Sequence, residues 1–308
     1  MTAAGKLSRS LSDDLQAESA VVGTYSMRPL REFDDDLLRI DCETARRLLV
    51  GFIHNEITKT GIMRGIIGLS GGVDSALAAA LAAEALGPDE VLGVILPHRV
   101  SNPESLDDAR LVAGQLGIRT CEIDITPMVD PYFKLYEPEA GDIRVGNVMA
   151  RMRMIVLYDL SHKENGLVIG TSNRTEILLG YSTLYGDSAH AINPLGDLLK
   201  TQVWQLSEFI DLPERVVRKP PSADLWQGQT DEDELGFDYG TADRVIALMV
   251  DQRLSRESIA EYGFTLELID RIAGLIKKYQ FKRMPPIIAK LSHRTVNRDF
   301  RYPRDWGM

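Results

Sequence analysis

A chain of 308 residues with 44% hydrophobic and 26% charged side chains can bury a large core and has the balance of a folded globular protein. Its formal charge of −10 argues against a general nucleic-acid binder, which needs a basic face, and no apolar run nears the roughly 20 residues that cross a bilayer. Two cysteines, Cys42 and Cys121, make neither a disulfide framework nor a metal cluster, and with no apolar leader the N-terminus predicts a cytoplasmic protein.

Residues 1–35 are polar and weakly periodic and run into Asp34-Asp35-Asp36, which predicts an extension of low or induced order ahead of a body over 36–308. From Leu37 apolar residues recur at helical spacing through Ile57. A strand is expected over Gly65–Leu69, a helix over Ser75–Leu86, a strand over Val91–Leu96, and a helix from Pro103, a good first-turn residue, to Leu116 with Gly117 closing it. Thr120–Ile125 reads as a third strand, Ile143–Leu160 as a long helix and Leu167–Gly170 as a fourth strand. Alternating strands and helices with short connections imply an α/β fold, a parallel sheet with helices on both faces. Ligands in such sheets sit beyond the strands' carboxyl ends, where strand order switches.

After Lys200 the pattern turns helical over Thr201–Phe209, Pro213–Val217, Ala242–Val250, Ser255–Tyr262 and Leu266–Tyr279. The expected organisation is an α/β core over about residues 60–210, a lid loop over about 219–236 and a helical C-terminal part. Prolines, glycine and a charge run make Lys219–Glu234 too long for a plain connection. Its acids Asp231–Glu234 read as a solvated helix start rather than a metal site.

The first strand runs directly into Ser70-Gly71-Gly72-Val73-Asp74-Ser75 and then an alanine-rich helix. Such a turn aims unpaired N–H groups and the positive end of a helix at one point, and two glycines let backbone approach an anion closely. The hydroxyls of Ser70 and Ser75 add donors, and Asp74 beside the anion makes sense if a divalent cation binds there too. The spacing is not that of the Walker loop. It resembles the SGGxDS loop of the ATP pyrophosphatase (PP-loop) superfamily.

Three further stretches extend that resemblance: Gly170–Glu176 after the fourth strand, Tyr185-Gly186-Asp187 followed by Asn193–Thr201, and Lys219–Leu235. In order and spacing they are similar to the motifs of NAD synthetases, with a weaker echo at Lys282-Arg283 before Pro285-Pro286. The resemblance implies ATP-dependent amidation of deamido-NAD through an acyl adenylate, releasing AMP and pyrophosphate. It implies that Ser70, Gly71, Gly72, Val73 and Ser75 cradle pyrophosphate, that Asp74 and Glu176 hold Mg²⁺, and that Lys200, Ser222, Thr171, Arg151 and Arg153 serve the ATP and nucleotide sites. Asp187 matches a position that binds or deprotonates ammonium, and Lys282 and Arg283 match a substrate-binding stretch. Asp187 taken alone also reads as a turn aspartate. The family is homodimeric, and the apolar stretch Ile155-Val156-Leu157 fits either a subunit contact or a core helix.

Two departures stand out. The family usually carries a second acid where this chain has Ala191, with His190 beside it as a possible substitute, and Phe281 replaces the usual His or Glu before Lys-Arg. Only 64 residues precede the first strand, too few for a nitrilase-type glutaminase domain, and neither cysteine has a nucleophile's setting. Free ammonia is therefore the expected donor, unless a separate glutaminase subunit delivers it. The alternatives are another PP-loop ligase or amidotransferase, or a non-catalytic nucleotide-binding paralogue.

Overall fold

Short runs of branched apolar residues buried on both faces suit the interior of a parallel sheet. The computed structural model describes residues 30–226, 228–296 and 298–300; such runs form β1 (Arg64–Gly68), β2 (Val91–Ile95) and β4 (Gly166–Val168), and the more polar β3 (Arg119–Glu122) completes the sheet. All pairings are parallel and the order is β3-β2-β1-β4. The chain steps outward from β1 to β3, then crosses back to place β4 on the other side of β1. The switch point lies between β1 and β4, where a crevice opens beyond the strand ends.

The helices are α1 (Cys42–Thr58), α2 (Val73–Leu86), α3 (Pro103–Leu116), α4 (Thr126–Tyr136), α5 (Asp142–Glu164), α6 (Arg174–Leu179), α7 (Lys200–Phe209), α8 (Glu214–Val217), α9 (Asp231–Leu235), α10 (Tyr239–Ile246), α11 (Arg256–Ala260) and α12 (Leu266–Lys278). Adjacent side chains of a strand point to opposite faces, so Ile66 and Ile67, both fully buried, enter different layers. Ile67 joins α1, α2, α3, α7 and α8, and Ile66 joins α4 and α5. A third core, built on Leu179, Tyr239, Ile246, Ile259 and Ile272, holds the helical C-terminal part together.

The expected elements are present with shifted ends. β3 is an edge strand, mostly exposed, and stops at Glu122, consistent with its weak alternation. Helix α4 is not foreseen because Pro127 and Pro131 interrupt its pattern. Pro127 sits harmlessly in the first turn, while Pro131 is tolerated inside the helix at a typical cost of about 3 kcal/mol. Helix α10 continues through a π-helical turn, Ala247–Asp251. The polar extension expected over residues 1–35 lies, up to residue 29, outside the described residues. From Leu30 the chain is docked on the helical part, with the Leu30 and Arg31 amides donating to the Glu261 carbonyl and Phe33 under the Arg244 guanidinium. Among the described residues no helix is long and apolar enough to cross a membrane.

Candidate active site

Beyond β1 the chain turns through Ser70, Gly71 and Gly72 into α2. Gly71 has φ +77°, and a Cβ there would stand 2.1 Å from the Ser105 carbonyl oxygen of α3. The turn is braced from within. Ser75 Oγ donates to the Gly72 carbonyl (2.9 Å) and lies 3.1 Å from Ser70 Oγ, and the Gly72 amide donates to Ser70 Oγ (3.3 Å). The two hydroxyls thus hold the loop's shape, while Val73 anchors it in the core. The first N–H groups of α2 have no partner within the helix and face the crevice with its positive end.

The second loop follows β4 across the switch point. Asn173, fully buried, caps α6: its Oδ1 accepts the Glu176 amide (2.9 Å), and Glu176 Oε2 accepts the Asn173 amide (3.3 Å). Its Nδ2 donates to Asp74 Oδ1 at 2.8 Å. Lys200, the buried first residue of α7, donates to Asp74 Oδ2 at 2.5 Å and Glu176 Oε1 at 3.3 Å, and its ammonium lies 5.1 Å from the centre of the Tyr239 ring. Three segments far apart in sequence therefore meet in one cluster of two carboxylates and one ammonium.

Burial and then the Asp74 charge push Glu176 up to about 8, against the opposing pull of Lys200. Burial would lower Lys200, but the Asp74 and Glu176 carboxylates outweigh it and its pKa is raised. The cluster is short of positive charge. Two hard oxygen donors from the first turns of two helices, completed by phosphate oxygens and water, are the donor set Mg²⁺ takes, so Asp74 and Glu176 fit that ion.

The cluster opens into a cleft of about 1240 Å³ lined by Ser70, Gly72, Val73, Asp74 and Ser75, with Gly71 as the buttress behind them. Thr171, Glu176, Lys200, Ser222, Arg153, Asp187 and Lys282 line the same cleft. Asp187 Oδ1 accepts the Thr183 amide (2.7 Å). Its carboxyl opens to the cleft but is otherwise ringed by protein, and this desolvation raises its pKa despite the Thr183 amide and the charges of Lys282 and Arg153. Lys282 donates to the Gly180 and Ser182 carbonyls at 2.7 and 2.5 Å, and burial lowers its pKa. Arg153 Nε donates to the Leu96 carbonyl (3.1 Å). Ser222 Oγ closes the loop ahead of α9 on itself by donating to the Gln229 carbonyl (2.7 Å). The loop is tied to α3, where Lys219 Nζ donates to Asp108 (2.9 Å) and the Asn102 amide donates to Asp224 (3.1 Å).

Other expected site residues lie elsewhere. Arg151 is exposed and donates to the Leu184 carbonyl (3.3 Å); residues two apart on a helix do not share a face, so only Arg153 turns to the cleft. Arg283 donates to the carbonyls of Ile177, Leu178 and Ile276, tying helix ends together outside the cleft. His190 packs under Gly170, where a Cβ would come within 2.5 Å of the ring, and burial lowers its pKa. A neutral ring behind the loop supplies no negative charge beside Ala191. The solvated reading of Asp231–Glu234 holds only in part. They do begin α9, but Asp231 is buried with its Oδ2 accepting from the Tyr239 hydroxyl (3.0 Å), and Glu234 accepts from Tyr181 (3.0 Å).

Sequence reasoning missed Asn173, Asp231 and Tyr239. Asn173 had a signal, the Asn-x-x-Glu spacing of a capping box. Tyr239 had none, because it precedes the expected start of its helix.

The sequence model of one family, NAD synthase, matches residues 46–286. The chain belongs to the NAD synthase family. Among curated relatives in the family, the NH(3)-dependent NAD(+) synthetase of Trichlorobacter lovleyi is 54% identical over 270 residues, 88% of this chain and 98% of that one. The protein of the same name from Chlorobium phaeobacteroides is 50% identical, covering 87% and 97%. Solved structures with a similar fold include the NMN synthetase of Francisella tularensis, with TM-score 0.73 and 31% identity over 82% of this chain and all of that one. The NH3-dependent NAD synthetase of Campylobacter jejuni, in complex with the nitrate ion, gives TM-score 0.70 and 30% identity with the same coverage.

Proposed function

We propose that this family member is an ammonia-dependent NAD synthetase that converts deamido-NAD to NAD with ATP in the cytoplasm. The observation that carries the reading is the Asp74–Lys200–Glu176 cluster facing the glycine loop, in one cleft with Asp187 and Lys282. A carboxylate is a poor acyl donor because its leaving group would be oxide, and adenylation supplies a better one. The nicotinate carboxylate oxygen attacks the α-phosphorus of ATP, and the bond to the β-phosphate bridging oxygen breaks to release pyrophosphate. Ammonia then attacks the acyl carbon, the bond to AMP breaks, and the nitrogen sheds a proton.

Positioning and charge neutralisation do most of this work. The glycine loop and the start of α2 receive the departing pyrophosphate, and Lys200 exchanges its carboxylate partners for phosphate oxygens. Asp74 and Glu176 would hold Mg²⁺, which would supply neutralisation of the phosphate chain. Asp187, whose raised pKa makes it a stronger base than an ordinary aspartate, takes the proton that turns ammonium into the nucleophile. Thr171, Arg153 and Ser222 bind ATP, and Lys282 binds the dinucleotide.

We also propose a homodimer, supported by exposed apolar side chains on α4 and α5: Leu135 and Tyr136 are each 71% exposed and Ile155 52%.

The test is NAD formation from deamido-NAD, ATP, Mg²⁺ and ammonium, with glutamine replacing ammonium in a parallel reaction. NAD from ammonium alone is expected; no NAD from a folded, ATP-binding protein refutes the reading. The likeness to the Francisella NMN synthetase favours one alternative acceptor, so nicotinate mononucleotide is the third arm, and its preferential amidation would move the assignment to that substrate.

A further inference from the structure

Helix α10 belongs to the helical C-terminal part, yet Tyr239 and Asp243, one turn apart on one face, are fully buried beneath the phosphate end of the cleft. A carboxylate cut off from water is costly unless its oxygens find donors, and burial raises the pKa of Asp243. Both oxygens find them. Oδ1 accepts the Thr175 hydroxyl at 2.5 Å and Oδ2 accepts the Thr201 amide at 2.8 Å. Thr175 Oγ1 in turn accepts the Lys200 amide at 3.0 Å.

Those two amides open α7 and have no partner within the helix. The residue ahead of them, Leu199, has no side-chain oxygen to offer. Asp243, 42 residues beyond Thr201, performs the cap from another helix and sets its charge at the positive end of α7. Its two partners adjoin the two residues that matter most: Thr175 precedes Glu176, and Thr201 follows Lys200.

From these contacts we infer that Asp243 is a positioning residue, clamping the first turns of α6 and α7 so that Glu176 and Lys200 keep the contact in which they receive ATP. It touches no substrate and acts through Thr175 and Thr201. The inference rests on the reading of the cluster as the phosphate site. It assigns the helical C-terminal part a share in ATP affinity, because α10 is packed in that part's own core.

The test uses the full-length protein with Asp243→Asn, Thr175→Val, Thr175→Ser and the double variant Asp243→Asn/Thr175→Val. Asparagine removes the charge and one of the two acceptors; valine keeps the shape of threonine without the hydroxyl. Affinity is read as KM for ATP in NAD formation and, independently of turnover, by calorimetry with a non-hydrolysable ATP analogue and Mg²⁺. Both single variants are expected to weaken ATP about 10- to 100-fold, the usual effect of losing a residue that orients ligating groups. KM for deamido-NAD stays close to the parent's while the melting temperature falls, because a buried hydrogen bond is lost; Thr175→Ser retains affinity, and the double variant binds ATP no worse than the singles. Unchanged ATP affinity in folded single variants, or losses that add in the double variant, would overturn the inference. If Asp243→Asn does not fold, Thr175→Val decides alone. If the parent forms no NAD, the proposed reaction fails, while the calorimetric arm still decides the clamp.

Discussion

Replacing Gly71 by alanine adds one methyl group at the tightest point of the Ser70–Ser75 turn, the loop proposed to receive pyrophosphate. The new Cβ would lie 2.1 Å from the Ser105 carbonyl oxygen, where ordinary contact begins at 3.4 Å, so something must yield by the difference, about 1.3 Å. Helix α3 is poorly placed to yield. Asn102 caps it at the Glu104 amide (3.0 Å), and Asp108 is held by Arg215 (2.6 Å) and Lys219 (2.9 Å). The loop must therefore move, or residue 71 must leave φ +77° and take the Ser70–Ser75 brace with it. Staying in place costs about 1–2 kcal/mol for the left-handed backbone alone, and overpacking adds about 1–3 kcal/mol. A displacement of about 1 Å at groups that hold reacting atoms costs roughly 10²-fold in rate. Deamido-NAD-dependent exchange of labelled pyrophosphate into ATP isolates the adenylation step, and urea denaturation reports the stability. Both should fall, exchange by about two orders of magnitude. Undiminished exchange in a protein of unchanged stability would show that the loop is not held by this contact, and the buttress argument would be wrong.

Asp74→Ala should abolish NAD formation and Mg²⁺-dependent ATP binding together, measured by product assay and calorimetry; binding without Mg²⁺ dependence in the parent would contradict the assignment. Because Glu176 titrates at about 8 in the free protein, Mg²⁺–ATP binding should release a proton at pH 7, and Glu176→Gln should remove that release, read by calorimetry in buffers of different ionisation enthalpy. The same group binds more protons folded than unfolded between its ordinary value of 4.5 and about 8, so its contribution to stability falls as pH rises through that window. Gly180→Ala forces a side chain at φ +69° to within 2.1 Å of Tyr279 Cβ, and should cost about 2 kcal/mol or more by chemical denaturation. Leu135→Asp with Ile155→Asp should halve the mass seen by light scattering while leaving the fold intact by circular dichroism.

The parallel sheet was legible because β1, β2 and β4 are short apolar runs, and α3 because proline and glycine mark its two ends. The Ser70–Ser75 turn was legible for the same reason: it lies within six consecutive residues. What stayed hidden is whatever depends on distant residues meeting. Nothing near Asp231, Tyr239 or Asp243 distinguishes them from surface residues of polar helices; they count only because α9 and α10 fold back onto α6 and α7. Arg151 and Arg283 show the converse. Each stands beside a residue that reaches the cleft, and the turn of the helix directs each elsewhere. Helix α4 was hidden by Pro131, whose local penalty is outweighed by packing of Val129 and Phe133 on the sheet.

Asn173 ends a loop, starts a helix and holds Asp74 with a single side chain. Engineering for robustness commonly improves helix caps one at a time and leaves catalysis alone, but here that separation is closed off. Serine or aspartate would cap α6 as well, yet neither can cap with an oxygen while donating an amide N–H to a carboxylate. A library selected at this position for both heat resistance and activity would therefore be filtered twice, and its survivors should keep asparagine even though serine and aspartate cap a helix about as well.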